Sequence, residues 1–161
     1  MEEEADCVIT AIRAAFRGVE RGEITLHEGQ ALDDYATEQE RAHARLKDDE
    51  ESWEFIPHSA IMDCPNALTY LDARSWRYYI PAHMIWAIRH CASDESMLRY
   101  FTIYSLLGDM DGRFALLTRR QSEAVFQFLH HMLTQDCDET AVRRALDSHW
   151  SRFGEDRNLP A

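Results

Sequence analysis

Lysine is almost missing from this sequence: 161 residues contain Lys47 and no other, beside 16 Arg. Glycine is scarce too. The six glycines are scattered, none in a phosphate-cradling loop, and no Ser or Cys sits in a nucleophile elbow, which removes the familiar routes to kinase, dinucleotide enzyme or serine hydrolase. Cys7, Cys64, Cys91 and Cys137 form no C-x-x-C pair and no Cys/His cluster at zinc spacing, so they read as reduced, structural thiols rather than a disulfide scaffold. The opening Met1-Glu2-Glu3-Glu4 has the wrong charge for a secretory signal. No apolar run approaches the roughly 18 to 20 residues that span a bilayer, so a cytoplasmic protein without membrane contact is expected.

What the chain has is acid, unevenly placed. Residues 1–60 hold 16 Asp/Glu against 6 Lys/Arg, whereas residues 61–161 hold 13 against 11. The net charge of −12 is therefore −10 in the first part and −2 in the second, the asymmetry of a surface that meets something basic. Direct nucleic-acid binding is not expected on the same ground, because attraction to phosphate has the wrong sign; Trp76-Arg77-Tyr78-Tyr79 reads as core rather than as a base-stacking platform. With 45% apolar residues and the length of one domain, the chain can bury a single core.

Apolar periodicity predicts an all-α fold, a single compact domain over 1–161 with about six or seven helices. Val8, Ile9, Ile12, Phe16 and Val19 mark the first helix, which Gly22 can end. Thr25-Leu26-His27-Glu28 and Thr37-Glu38-Gln39-Glu40 have the form of capping boxes, the second opening a helix that reaches Glu51 with Ala42, Leu46 and Trp53 on a thin apolar line. Pro57 and Pro65 break residues 55–70 into short turns. Trp76 to Ile88 is apolar nearly all round, the signature of a central helix, with Pro81 suited to its first turn. Residues 97–107 fit either a buried helix or a strand, and a small β-hairpin near 101–116 through Asp111-Gly112 is the alternative. Thr118 and Asp138 are N-cap candidates for two further helices, the last ending at Gly154, after which the chain frays.

Glu40 and His43 make an E-x-x-H, the half-motif of di-iron bundles, but no second copy exists; together with His83 they are the weak metal candidates of a chain for which no metal and no cofactor is expected. Asp49 shares a helical line with Leu46 and Trp53 and is expected to turn inward toward Arg45 or Arg77. The remaining acids read as a solvated face, with Asp33, Asp34, Glu38, Asp48, Glu50 and Glu51 as the candidate partner-binding residues.

Asp33-Asp34-Tyr35, Ala44-Arg45, the acidic run ending at Trp53, Ile56-Pro57, Leu71-Asp72 and Arg77-Tyr78-Tyr79-Ile80-Pro81-Ala82-His83-Met84 resemble a bacterial family known only as a domain of unknown function. Leu117-Thr118, Gln121, Val125 and Phe128-Leu129 extend the likeness over most of the chain. The resemblance implies a shared fold and no reaction, cofactor or partner; a Tyr more common in the family at His83 implies no shared catalytic role there. The composition favours a non-enzymatic acidic binding protein, most concretely an immunity or inhibitor protein that neutralises a basic toxin or effector. An unfamiliar enzyme or metal protein using Glu40, His43, Asp49 and His83 is one alternative, and a DNA-mimicking inhibitor is another.

Overall fold

Asp72 starts the element around which the rest is organised. In the structure, a computed structural model described over residues 2–91, 96–135 and 137–154, its carboxylate accepts the Arg74 and Ser75 amides and opens a helix at Ala73–Arg89. Numbered in chain order, the α-helices are α1 (Glu2–Phe16), α2 (Leu26–Asp33), α3 (Glu38–Arg45), α4 (His58–Asp63), α5 (Ala67–Tyr70), α6 (Ala73–Arg89), α7 (Ser96–Tyr104), α8 (Arg119–Thr134) and α9 (Glu139–Ser148). Short 3₁₀ turns occupy 53–55, 110–116 and 150–153, and no strand occurs among the described residues. The helices outnumber the six or seven expected because residues 26–70 fold as four short helices.

α6 is buried on every side from Tyr78 to Ile88, as its apolar composition requires, and packs against α1, α7, α8 and the 110–116 turn. Pro81 lies in its interior rather than its first turn, removing the amide that would bond the Arg77 carbonyl. The helix tolerates this because Asp72 nucleates it upstream and burial of large groups such as Trp76, Tyr79 and Trp86, each worth about 1.5 to 3 kcal/mol, holds it from outside. α1 runs along α8, and α9 closes the other side of α8. Trp53 and Trp150 satisfy their indole N–H groups on the Phe16 and Leu106 carbonyls, at 3.0 and 2.8 Å, stitching loop segments onto this core.

The region left open between helix and strand is α7, and no hairpin follows it. Thr102 and Ser105 donate their hydroxyls to the carbonyls of Leu98 and Thr102 on the preceding turn, which suits a helix and not a ladder. Asp111 and Gly112 both have positive φ, 55° and 69°, but they kink a 3₁₀ turn instead of joining strands. Arg113 behind them is 1% exposed, donates to the Met110 and Leu68 carbonyls and lies over the Trp76 ring at 5.4 Å.

Two caps form as expected and two do not. Thr37/Glu40 and Thr118/Gln121 close reciprocal capping boxes. Thr25 makes no side-chain cap, and Asp138, with φ 52°, gives its carboxylate to Arg99 at 3.0 Å instead. The thiols need a correction as well: Cys91 and Cys137 are paired as a disulfide with Cα atoms 6.3 Å apart, a normal separation, leaving Cys7 and Cys64 free. Forty-six residues separate the pair, too far for sequence spacing to announce it. No described helix is long and apolar enough to cross a membrane.

Candidate functional site

α2 and α3 pack side by side because Glu28 is driven into the seam between them. Its side chain is 1% exposed and accepts from Arg41 Nη2 at 3.1 Å, from Arg45 Nε at 2.9 Å and from Arg45 Nη2. The hydrogen bonds from Arg45 hold this carboxyl below its ordinary range against the opposing effect of burial, with Arg41 adding to them. The Glu of the first supposed capping box is thus spent on the neighbouring helix, and a distant residue takes over the cap. Asp48 accepts the His27 backbone N–H at 2.8 Å and the His27 ring Nδ1–H at 2.7 Å.

This overturns part of the expected acidic face. Asp48 is 5% exposed and the Glu50 side chain 9%, so neither is a solvated acid, while Asp49, expected to turn inward, is exposed. The reason is that α3 ends at Arg45, leaving residues 46–52 in a loop without the helical periodicity that placed Asp49 beside Trp53. Leu46, on the same expected line, is 77% exposed. Arg45 meets Glu28, and Arg77 donates to Gln121 at 3.0 Å, so neither is the partner of Asp49.

Glu50 sits beside Arg21, at 3.6 Å, and accepts from the Tyr79 hydroxyl at 3.4 Å. Burial first, then the neighbouring Asp48 charge, pushes its carboxyl up. Tyr78 is pushed up to about 12 by burial and by Glu50. Asp48 and Glu50 therefore work as struts, and Arg21 completes the clamp by donating to the Asp48 carbonyl at 2.8 Å.

Outside these struts, acids and large apolar groups share one surface. Asp33 accepts from Gln30 and from Asn66, and its hydrogen bond pushes up the Tyr70 phenol, which also feels Tyr35. Asp34, Asp63 and Asp48 all act on the buried Cys64 thiol, which burial chiefly lifts to about 12, so the end of α2, the 46–52 loop and α4 surround one point. Lys47, Asp49, Phe55 and Asp63 line a groove of about 460 Å³ beside it. Glu38 is exposed and pairs with Arg41 at 3.0 Å; Glu51 is exposed.

Tyr35 is the outlier. It is 96% exposed and has φ 57°, a left-handed position at the end of α2 that glycine normally takes. Phe55, 70% exposed, lines the groove with Asp49 and Asp63, and Leu46 is exposed too. Sequence reasoning missed all three; the one available signal was an aromatic directly after Asp33-Asp34, at a helix end where nothing is left to bury it.

The weak metal candidates do not converge. Glu40 is engaged with the Thr37 amide and hydroxyl, whose bonds hold it below its ordinary range, and His43 is exposed on α3. His83 is wholly buried in α6, bonded through Nδ1–H to the Tyr79 carbonyl at 3.0 Å and pulled down to about 4 by burial, hence neutral. Among the described residues no three His, Cys, Asp or Glu groups are placed to hold a metal ion.

Residues 4–153 match a family of unknown function, DUF6714. The chain belongs to this family. Comparison with curated proteins and with solved structures returned no match. Membership accounts for the resemblance seen in the sequence, and the family's description assigns no chemistry to the face described above.

Proposed function

We propose that the protein is a non-enzymatic binding module whose α2–α4 face docks a basic protein, the inhibitor of a basic toxin or effector being its most concrete form. The observation that carries this reading is Tyr35, an almost fully exposed aromatic held in an unfavourable backbone conformation among Asp33, Asp34 and Tyr70. A left-handed tyrosine costs the fold about 1 kcal/mol, and strain of this kind concentrates at binding sites. Tyr is also among the side chains that dominate interface energetics, where a rigid ring fills a pocket and surrounding charges set approach and register.

The charge supports it. Of the six cations in residues 1–60, Arg41 and Arg45 are engaged by Glu28 and Arg21 by the 48–50 strut, which leaves Asp34, Asp49, Glu51 and Asp63 with Lys47 as the nearby cation. The DNA-mimic alternative draws on the same acids but loses Asp48 and Glu50 from its array, since both turn inward.

The test is affinity capture from the source cell's lysate at 50 and 500 mM salt with three baits, followed by kinetics on the purified partner. The baits are the native chain, Tyr35→Gly with Phe55→Ser, and Asp34→Asn with Asp49→Asn and Glu51→Gln. One stoichiometric partner of pI above about 9 is expected, with an association rate that falls about tenfold over that salt range for the native chain and is slower and less salt-sensitive for the charge variant. A partner that binds all three baits with the same rate and salt dependence, or no basic partner at all, overturns the reading.

A further inference from the structure

At the opposite end of the charge scale, three guanidinium groups of this acidic chain gather in one hollow. Arg74 and Arg77, three residues apart on the first turns of α6, share a helix face. Arg17 follows the end of α1, where Gly18, φ +71°, turns the chain back toward them. Together with Thr118 and Gln121 at the start of α8 they line a groove of about 410 Å³, within the range of small-molecule sites.

The groove is built, not incidental. Gln121 is 2% exposed and joins three helices: its Oε1 accepts from Arg77 Nε at 3.0 Å and from the Thr118 N–H at 3.1 Å, while its Nε2 donates to the Ala15 carbonyl at 3.1 Å. Only one orientation of the amide satisfies all three bonds. The Arg77 fork is thereby fixed through Nε, and its two terminal nitrogens have no carboxylate partner among the described residues. Asp72 anchors the start of α6, taking the Glu23 and Ile24 amides at 3.1 and 3.0 Å besides the α6 cap and the Ser75 hydroxyl; burial opposes its ionisation, yet these donors keep it below its ordinary range.

The charge inside is uncompensated. The one carboxylate lining the groove is Glu20, 4.0 Å from Arg74, with both side chains largely in water, a pairing of little strength. By contrast Arg41, Arg45, Arg99 and Arg143 each have a carboxylate at hydrogen-bonding distance. The N-terminus of the 16-residue α8 adds its positive dipole end beside the three arginines.

We infer that this groove between α1, α6 and α8 binds a small, multiply charged oxyanion, a phosphate ester or a polycarboxylate, with Arg77 as the preorganised fork and Arg17 and Arg74 closing on it from the rim. A guanidinium held through Nε presents its remaining edge to two oxygens at once, which suits both ligand types. A nucleic-acid strand does not fit the charge of the surroundings, since the chain as a whole is −12 and would repel a long polyanion.

The experiment is calorimetric titration of the full chain with pyrophosphate and, separately, with citrate in 150 mM NaCl, with the arginine Nε–H resonances followed in parallel. One-site binding of at least one anion is expected, shifting the Arg77 Nε–H signal. Arg17→Gln with Arg74→Gln changes only exposed side chains and should weaken binding about tenfold per arginine removed, whereas Arg144→Gln, exposed on α9 and outside the groove, should leave it unchanged. Pyrophosphate alone identifies the phosphate-ester class, citrate alone the polycarboxylates, and both the shared chemistry; each supports the site. Neither anion binding with a dissociation constant below about 10 mM, or equal binding by the double variant, overturns it.

Discussion

Replacing Glu28 with Gln tests whether α2 and α3 are held together by one buried carboxylate. Three hydrogen bonds converge on it, one from Arg41 and two from Arg45, and its side chain is 1% exposed. Gln keeps the shape and one acceptor but loses the charge and turns an N–H₂ group toward a guanidinium. Stranding a fully buried ion costs about 3 to 5 kcal/mol, but both arginines here reach solvent and can rehydrate, so the loss should be about 2 kcal/mol. For a chain of this size that lowers the melting temperature by about 4 to 8 °C. The pH dependence gives a second check. Because the folded carboxyl lies below its unfolded value, its contribution is complete above about pH 4.5 and is lost as pH falls through the folded value, so the variant should lack part of the native chain's acid limb. Urea denaturation at pH 7 and at pH 3.5 to 4.5 reads both. A loss under about 0.5 kcal/mol at pH 7, with an unchanged acid limb, would refute the strut.

His83 works in a different window. An unfolded histidine binds its proton near 6.5 and the buried one only near 4, so the unfolded state holds more protons between those values and stability falls as pH drops from 6.5 to 4, by at most about 3 kcal/mol. His83→Gln should flatten this slope, leaving a residue from His131 and His149, which burial also pulls down; a slope unchanged by the substitution would count against the buried neutral imidazole. Tyr35→Gly relieves a left-handed backbone and should stabilise the fold by about 0.5 to 1 kcal/mol in urea titration while weakening partner binding, and a destabilised variant would show that the ring supports the fold. Thiol titration of the denatured, unreduced protein should find two free thiols, Cys7 and Cys64, and reduction should lower stability by up to about 4 kcal/mol for a loop of 46 residues; four free thiols would rule out the Cys91–Cys137 bond. A Cβ at Gly22 would lie 2.5 Å from the Asp72 carboxylate and from the Ser75 amide, so Gly22→Ala should cost about 1 to 3 kcal/mol, and a variant of native stability in denaturant would show that the α6 cap can move aside.

The limits of the sequence are clearest at the acids. From Asp48-Asp49-Glu50-Glu51 the local pattern offered no way to choose which side chain turns inward, because the choice depends on where α3 stops and on His27 and Arg21, over twenty residues away. The helical line through Leu46 and Trp53 picked Asp49; the loop that replaces the helix after Arg45 picked Asp48 and Glu50. Thr25 and Thr37 show the same limit in pairs. Both precede a Glu at the right spacing, yet only Glu40 closes its box, since Glu28 has two arginines of the next helix within reach.

By itself, then, the sequence determined what local chemistry and burial can settle. Apolar spacing determined helices at α1, α8 and α9, the N-caps Thr37 and Thr118 determined where α3 and α8 begin, and an apolar surface on all sides determined that α6 is central. Only the tertiary structure decided which acids are struts and which are exposed, that Cys91 meets Cys137, that Tyr35 is left in water, and that Arg17, Arg74 and Arg77 line one groove. The physical reason is range. Helix propensity, capping and amphipathic spacing act within about four residues, whereas charge pairing and disulfide closure act between groups that only packing brings together.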